Sequence, residues 1–136
     1  YVYKNKIDKL IIENSLQEKV TLTGHIDNIN QILSGCDLFL FLSKSDPHPR
    51  SVLEAMASSL PVIAHNTDGV GETVLNGKTG FLVKKGDKTE ITKKLDKLLF
   101  EKKIRLKFGS EGYKHIINNF TSKITADKIN KIISKF

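Results

Sequence analysis

Two carboxylates eight residues apart, Asp46 and Glu54, are the first groups in this chain that could do chemistry. Each offers two acceptor oxygens, enough to hold the hydroxyls of a sugar, and together they could act as an acid–base pair. The alternative is plainer: Asp46 as a turn residue and Glu54 as a solvated helix residue, although apolar neighbours flank Glu54 on both sides. Between them stand His48, Arg50 and Ser51. A helix opening near Ser51 would turn free backbone N–H groups and a partial positive charge towards whatever lies in front of it. That arrangement suits an anion such as a diphosphate. Arg50 would add a bidentate cation. Pro47 and Pro49 stiffen the same stretch but remove two N–H donors. Further on, Asp68-Gly69-Val70-Gly71-Glu72 places two glycines where backbone can come close to a ligand. It is not G-x-G-x-x-G and does not follow the first strand, so it is no dinucleotide fingerprint. A plain turn into a helix, with Glu72 near its start, is the competing reading.

These residues need elements to position them. Residues 38–42 (LFLFL) form an apolar run without polar alternation, as in a parallel strand covered on both faces. Residues 43–49 break it with small, polar and proline residues. From Ser51 the pattern turns helical through Val52, Leu53, Ala55, Met56 and Ala57. Leu60-Pro61 ends the helix, and Val62-Ile63-Ala64 reads as the next buried strand. The result is a βαβ unit whose loop lies at the carboxyl end of its first strand, where open α/β sheets bind ligands.

Around that unit, residues 1–16 read as a helix and residues 19–24 (KVTLTG) as a strand closed by Gly24. Asp27-Asn28 can cap a short helix through Ile29, Ile32 and Leu33. Residues 65–71 form a loop, 72–75 one helical turn and Phe81-Leu82-Val83 a strand. Residues 89–100, 102–120 and 122–136 are Lys-rich amphipathic helices, the last capped by Thr121-Ser122. In that last helix Ile124, Ile129, Ile132, Ile133 and Phe136 share one face. No initiating Met is present and a βα architecture would want a strand before the first helix. The expectation is a piece of something longer.

With 136 residues and 39% hydrophobic content, the chain can build one modest core. No run approaches the roughly 18 apolar residues of a membrane span, and no signal peptide is visible. The lone Cys36 excludes an internal disulfide, fits a reducing cytosol and is expected to pack in the core. The four histidines are scattered without an i, i+3 or i, i+4 pair, so a metal site is not expected. The +7 charge belongs to solvated helix faces, an anionic ligand or a lipid surface.

Residues 38–64 resemble the donor-site segment of family 4 retaining glycosyltransferases of the two-Rossmann, GT-B architecture. Those proteins read strand, P-S, then E-G-F-G-L-x-x-L-E-A-M-A-x-G-x-P-V-I-A. Residues 68–83 (DGVGETVLNGKTGFLV) are similar to the family's G-G-x-x-E-x-x-x-x-G-x-T-G-x-L-V. Residues 20–24 and 37–39 resemble its V-x-F-x-G and A-D-L-F. The resemblance runs from about Val20 to Val83. It implies a Rossmann-like, three-layer α/β domain with a parallel sheet, the C-terminal donor-binding half of a GT-B enzyme, over residues 1–136. It further implies that the first strand and the N-terminal acceptor domain lie outside the chain, so that the chain alone does not turn over.

By that resemblance Glu54 matches the second acid of an E-x7-E motif, the one that holds the ribose. Asp46 matches the first, which faces the sugar and is the candidate catalytic group. Asp stands there in place of Glu, one methylene shorter, and G-F-G becomes Pro47-His48-Pro49. Arg50, Ser51, His48, Asp68, Gly69 and Glu72 join Glu54 as the implied donor-binding set. The implied substrate is a nucleotide diphosphate sugar, with no metal and no cofactor. The implied acceptor is a glycan or lipid-linked molecule, the place the cytoplasm, and a peripheral contact with an anionic membrane is conceivable. A nucleotide-sugar epimerase on the same fold, a non-catalytic binding module and a nucleic-acid binder are the competing readings. The last rests on charge alone and lacks interleaved aromatics.

Overall fold

The computed structural model describes residues 2–67 and 69–135. In chain order the elements are α1 (Val2–Glu13), α2 (Ile29–Leu33), β1 (Phe39–Phe41), α3 (Arg50–Ala57), β2 (Val62–His65), α4 (Val70–Thr73), β3 (Gly80–Val83), α5 (Lys88–Phe100), α6 (Lys102–Asn119) and α7 (Ser122–Ile133). The sheet is parallel with order β1-β2-β3, Phe39 facing Val62 and Val62 facing Gly80.

β2 is the centre of the molecule because every one of its residues is buried. Alternation sends its side chains to two cores. Val62 and Ala64 join Val52, Ala55, Met56, Val70, Val74 and Ile116 on the face covered by α3, α4 and α6. Ile63 joins Phe81, Val83, Leu98 and Phe108 on the other. A strand buried on both faces has to be apolar throughout, which is how Val-Ile-Ala reads.

α3 buries Val52, Ala55 and Met56 and stops at Ala57, three residues before Leu60-Pro61. The cause is a left-handed Ser59 (φ 59°), with Leu60 N–H donating to the Ala55 carbonyl (3.0 Å) and Ser59 N–H to that of Met56 (3.0 Å). This is a Schellman ending without glycine. α6 then crosses α3 at this point. A Cβ on Gly109 would overlap the Ser59 carbonyl oxygen, and one on Gly112 would sit 3.6 Å from the Met56 methyl carbon.

Four expectations are corrected. Residues 19–24 form no strand: they pair with no strand among the described residues, the Lys19 and Val20 N–H groups turn back to the Leu16 carbonyl, and Val20 and Leu22 are exposed. β-branched alternation favours a strand but cannot make one without a neighbour to bond. β1 is covered on one face only: Phe39 and Phe41 are half-buried, while Leu40 and, just after the strand, Leu42 are exposed. His65 belongs to β2 and not to the loop. Cys36 is exposed, its Sγ 3.3 Å from the Ile32 carbonyl in the turn after α2, so it is no core residue. Asn28 does stand at the N-cap of α2, but without a side-chain bond. Thr121 caps α7 through Ile124 N–H at 3.3 Å, as expected. Among the described residues no helix is long and apolar enough to cross a membrane.

Candidate nucleotide-sugar site

The parallel order of β1 and β2 puts the loops 43–49 and 66–69 on one edge of the sheet, at the carboxyl ends of the strands. His65, at the last position of β2, is buried and its Nδ1 lies 3.2 Å from the Ser43 carbonyl. A donor at that nitrogen pins the start of the first loop to the second strand. Lys85 Nζ reaches the Lys44 carbonyl at 3.4 Å from beyond β3. Both supports escaped the sequence reading. For His65 a signal existed: a polar residue directly after a fully apolar strand, on the ligand edge.

Within the loop, Asp46 is half-buried and its Oδ1 accepts the His48 N–H at 3.1 Å. That is an Asx turn, the plainer of the two roles open to Asp46. It has a chemical consequence. Pro47 and Pro49 carry no N–H, so the one amide donor of residues 47–49 is committed to Asp46. Over residues 47–49 the loop can meet a ligand only through carbonyls and side chains. Pro49 is buried and serves as the N-cap of α3. Its carbonyl accepts Val52 N–H (3.1 Å) and Leu53 N–H (3.4 Å), and the Arg50 and Ser51 N–H groups have no backbone partner among the described residues. Arg50 is 86% exposed at its side chain and its Nη2 lies 4.0 Å from Glu54 Oε1. A pair this open contributes little to stability and leaves both groups free for a ligand.

The second loop arrives beneath the first. A Cβ on Gly69 would overlap the Pro47 carbonyl oxygen, so only glycine allows the two loops to touch. Glu72, in the single turn of α4, is exposed. Asp68 lies outside the described residues. The structure therefore brings together Asp46, His48, Arg50, Ser51, Glu54 and Gly69 along one edge, with Glu72 one helical turn further.

Behind the loop stands a group absent from the sequence reading. Phe120, immediately after α6, has its ring 6.3 Å from that of His48. His115 meets the same ring edge-on at 5.4 Å. Burial, and then the Lys78 cation, lower the His115 pKa below the ordinary 6.5, while the Glu72 backbone pulls weakly the other way. Its Nδ1 accepts from Asn119 Nδ2 at 3.2 Å, which puts the proton on a buried Nε2. Nε2 has no hydrogen-bond partner among the described residues, so burial and Lys78 prevail. Among the described residues no three His, Cys, Asp or Glu side chains are grouped to hold a metal ion.

Comparison with known proteins follows the same line. The glycosyl transferases group 1 family matches residues 2–115. The capsular polysaccharide biosynthesis glycosyltransferase CapM of Staphylococcus aureus is 31% identical over 140 residues, covering 96% of this chain and 37% of that protein. The Anabaena protein HepE, solved in complex with UDP, superposes with a TM-score of 0.93 at 24% identity over 98% of this chain and 37% of that one. A glycosyltransferase from Rickettsia africae gives a TM-score of 0.90 at 25% identity, covering 98% and 36%. The chain thus spans about a third of the length of proteins it matches.

Proposed function

The chain belongs to the glycosyl transferases group 1 family, and from that premise we propose that it is the donor-binding half of a retaining, family 4 glycosyltransferase of GT-B architecture. In this reading the whole enzyme moves a sugar from a nucleotide diphosphate sugar to a glycan or lipid-linked acceptor at the cytoplasmic side of a membrane. The observation that carries it is the convergence of loop 43–49, the start of α3 and Gly69 on the carboxyl edge of a parallel sheet.

Each group then has a task. Glu54 accepts the ribose hydroxyls. The Arg50 and Ser51 N–H groups, without a backbone partner among the described residues, and the Arg50 guanidinium face the diphosphate, and carry the charge that grows there as the glycosidic bond breaks. Asp46, turned towards the sugar, stabilises positive charge developing at the anomeric carbon. As proposed, the step uses no metal ion. Turnover needs the acceptor-binding half, so this chain by itself binds and does not transfer. Leu99, Phe100 and Leu106 are exposed beside Lys97, Lys102, Lys103 and Lys107, on the α5–α6 corner; a contact with anionic lipid would fall there.

Calorimetry of the full-length protein with nucleotide sugars, followed by NMR of the product's anomeric configuration, tests the reading. Binding with retention is expected. An inverted product would remove the retaining assignment, and failure to bind any nucleotide sugar would remove the donor site itself.

A further inference from the structure

Phe120 has no part in the chemistry above, yet its ring stands between the core and the tip of the donor loop. One side packs on the cluster that contains Val52, Met56, Val70 and Ile116. Another faces the His48 ring at 6.3 Å with a 32° tilt, and His115 presses edge-on at 5.4 Å. Both separations lie in the range where aromatic rings attract.

The height of this ring is set by backbone. Phe120 N–H donates to the Ile116 carbonyl at 2.9 Å, so the residue follows the register of α6. α6 in turn is seated on α3 through Gly109, where no side chain would fit against Ser59. The wedge is therefore rigidly tied to the same helix, α3, whose start faces the site.

The loop has particular need of such support. With two prolines and its one amide N–H taken by Asp46, it offers a ligand no backbone donor over residues 47–49. The exposed imidazole at its tip is what remains. We infer that Phe120 is a positioning residue: it holds the His48 imidazole where its N–H meets oxygens of the donor's sugar or its sugar-bound phosphate, and so sets donor affinity. This rests on the donor-site reading given above.

A double-mutant cycle in the full-length protein tests it, with UDP-glucose, UDP-N-acetylglucosamine and GDP-mannose as probes and the tightest carried forward. His48→Ala should weaken that nucleotide sugar roughly three- to tenfold, the range of one lost hydrogen bond. Phe120→Leu should cost about the same, Phe120→Tyr should restore most of it, and the pair should be no worse than His48→Ala alone. Affinity for the matching nucleoside monophosphate, which lacks the sugar and one phosphate, should stay unchanged. Losses that multiply in the pair, no loss in His48→Ala, or an equal loss for the monophosphate would overturn the role of Phe120. A wild-type protein that binds none of the three probes would instead bring down the donor-site reading, and this inference with it.

Discussion

Asp46 and Glu54 share a site edge but not an environment, and their substitutions should separate. Glu54 is a half-exposed side chain whose ion-pair partner among the described residues is Arg50, at a loose 4.0 Å. Glu54→Gln should therefore leave the fold intact and weaken nucleotide binding by roughly 1.5–3 kcal/mol, the value of charge-assisted hydrogen bonds. Unchanged affinity by calorimetry would return Glu54 to a solvated face. Asp46 is tied to His48 N–H, and Asn can keep that bond through its carbonyl oxygen. Asp46→Asn should spare nucleotide binding and lower transfer by the full-length enzyme; an Asn variant of full activity would end the carboxylate's role. Asp46→Glu moves the acid out by a methylene, and a rise in rate would mark the native Asp as a detuned acid. His115 gives a residue-scale prediction of another kind. Its pKa is lowered in the fold, so between that value and 6.5 the unfolded chain binds more protons. The His115 contribution is present above pH 6.5 and lost as pH falls through the folded value. His115→Asn should flatten the acid side of the stability–pH curve, measured by denaturant melts at stepped pH.

Elements were legible in the sequence where one interaction decides them. β2 reads as buried because Val62, Ile63 and Ala64 are all apolar, and α5 to α7 read from their amphipathic period, α7 also from its cap. Legibility failed where a distant partner decides. Residues 19–24 have strand chemistry and no strand partner among the described residues, whereas Ser59 takes a left-handed turn that its own type does not announce. The close approach of Gly69 to Pro47 was half legible: a glycine was expected to allow backbone approach, but towards a ligand and not towards the other loop. That contact gives a prediction at the scale of elements. Gly69→Ala would force two loops apart at the Pro47 carbonyl, with no flexible side-chain end to yield. Nucleotide-sugar affinity should fall by an order of magnitude or more, with a loss of stability of about 1–3 kcal/mol. Gly71→Ala meets only the Asn66 side chain at 3.3 Å and serves as the control. Equal effects of the two by calorimetry and thermal melting would sink the idea that the loops are locked through residue 69.

At the scale of the whole molecule, α7, like α1, is an element that the described fold leaves without a buried face. None of its residues is buried, and Ile129, Ile132 and Ile133 are 50%, 61% and 65% exposed. Phe136, expected on the same face, lies outside the described residues. Cap and amphipathic pattern are both in place, so the helix is built to bury a face that this chain leaves in water. The N-terminal half proposed above would supply an occupant, with α7 crossing back to it. If that holds, the same substitution has two different costs. In the full-length protein Ile132→Ala should remove packing from an interface and cost about 2–5 kcal/mol at most, as buried aliphatic truncations do. With the face open to solvent the cost would stay within about 0.5 kcal/mol. Denaturant melts of full-length wild type and Ile132→Ala, with hydrogen exchange across α7 as the second readout, distinguish the cases. Protection of α7 together with a loss above 1 kcal/mol is the expected result; free exchange and an unchanged midpoint would show that the isoleucine face stays in water and that α7 ties no domain to this one.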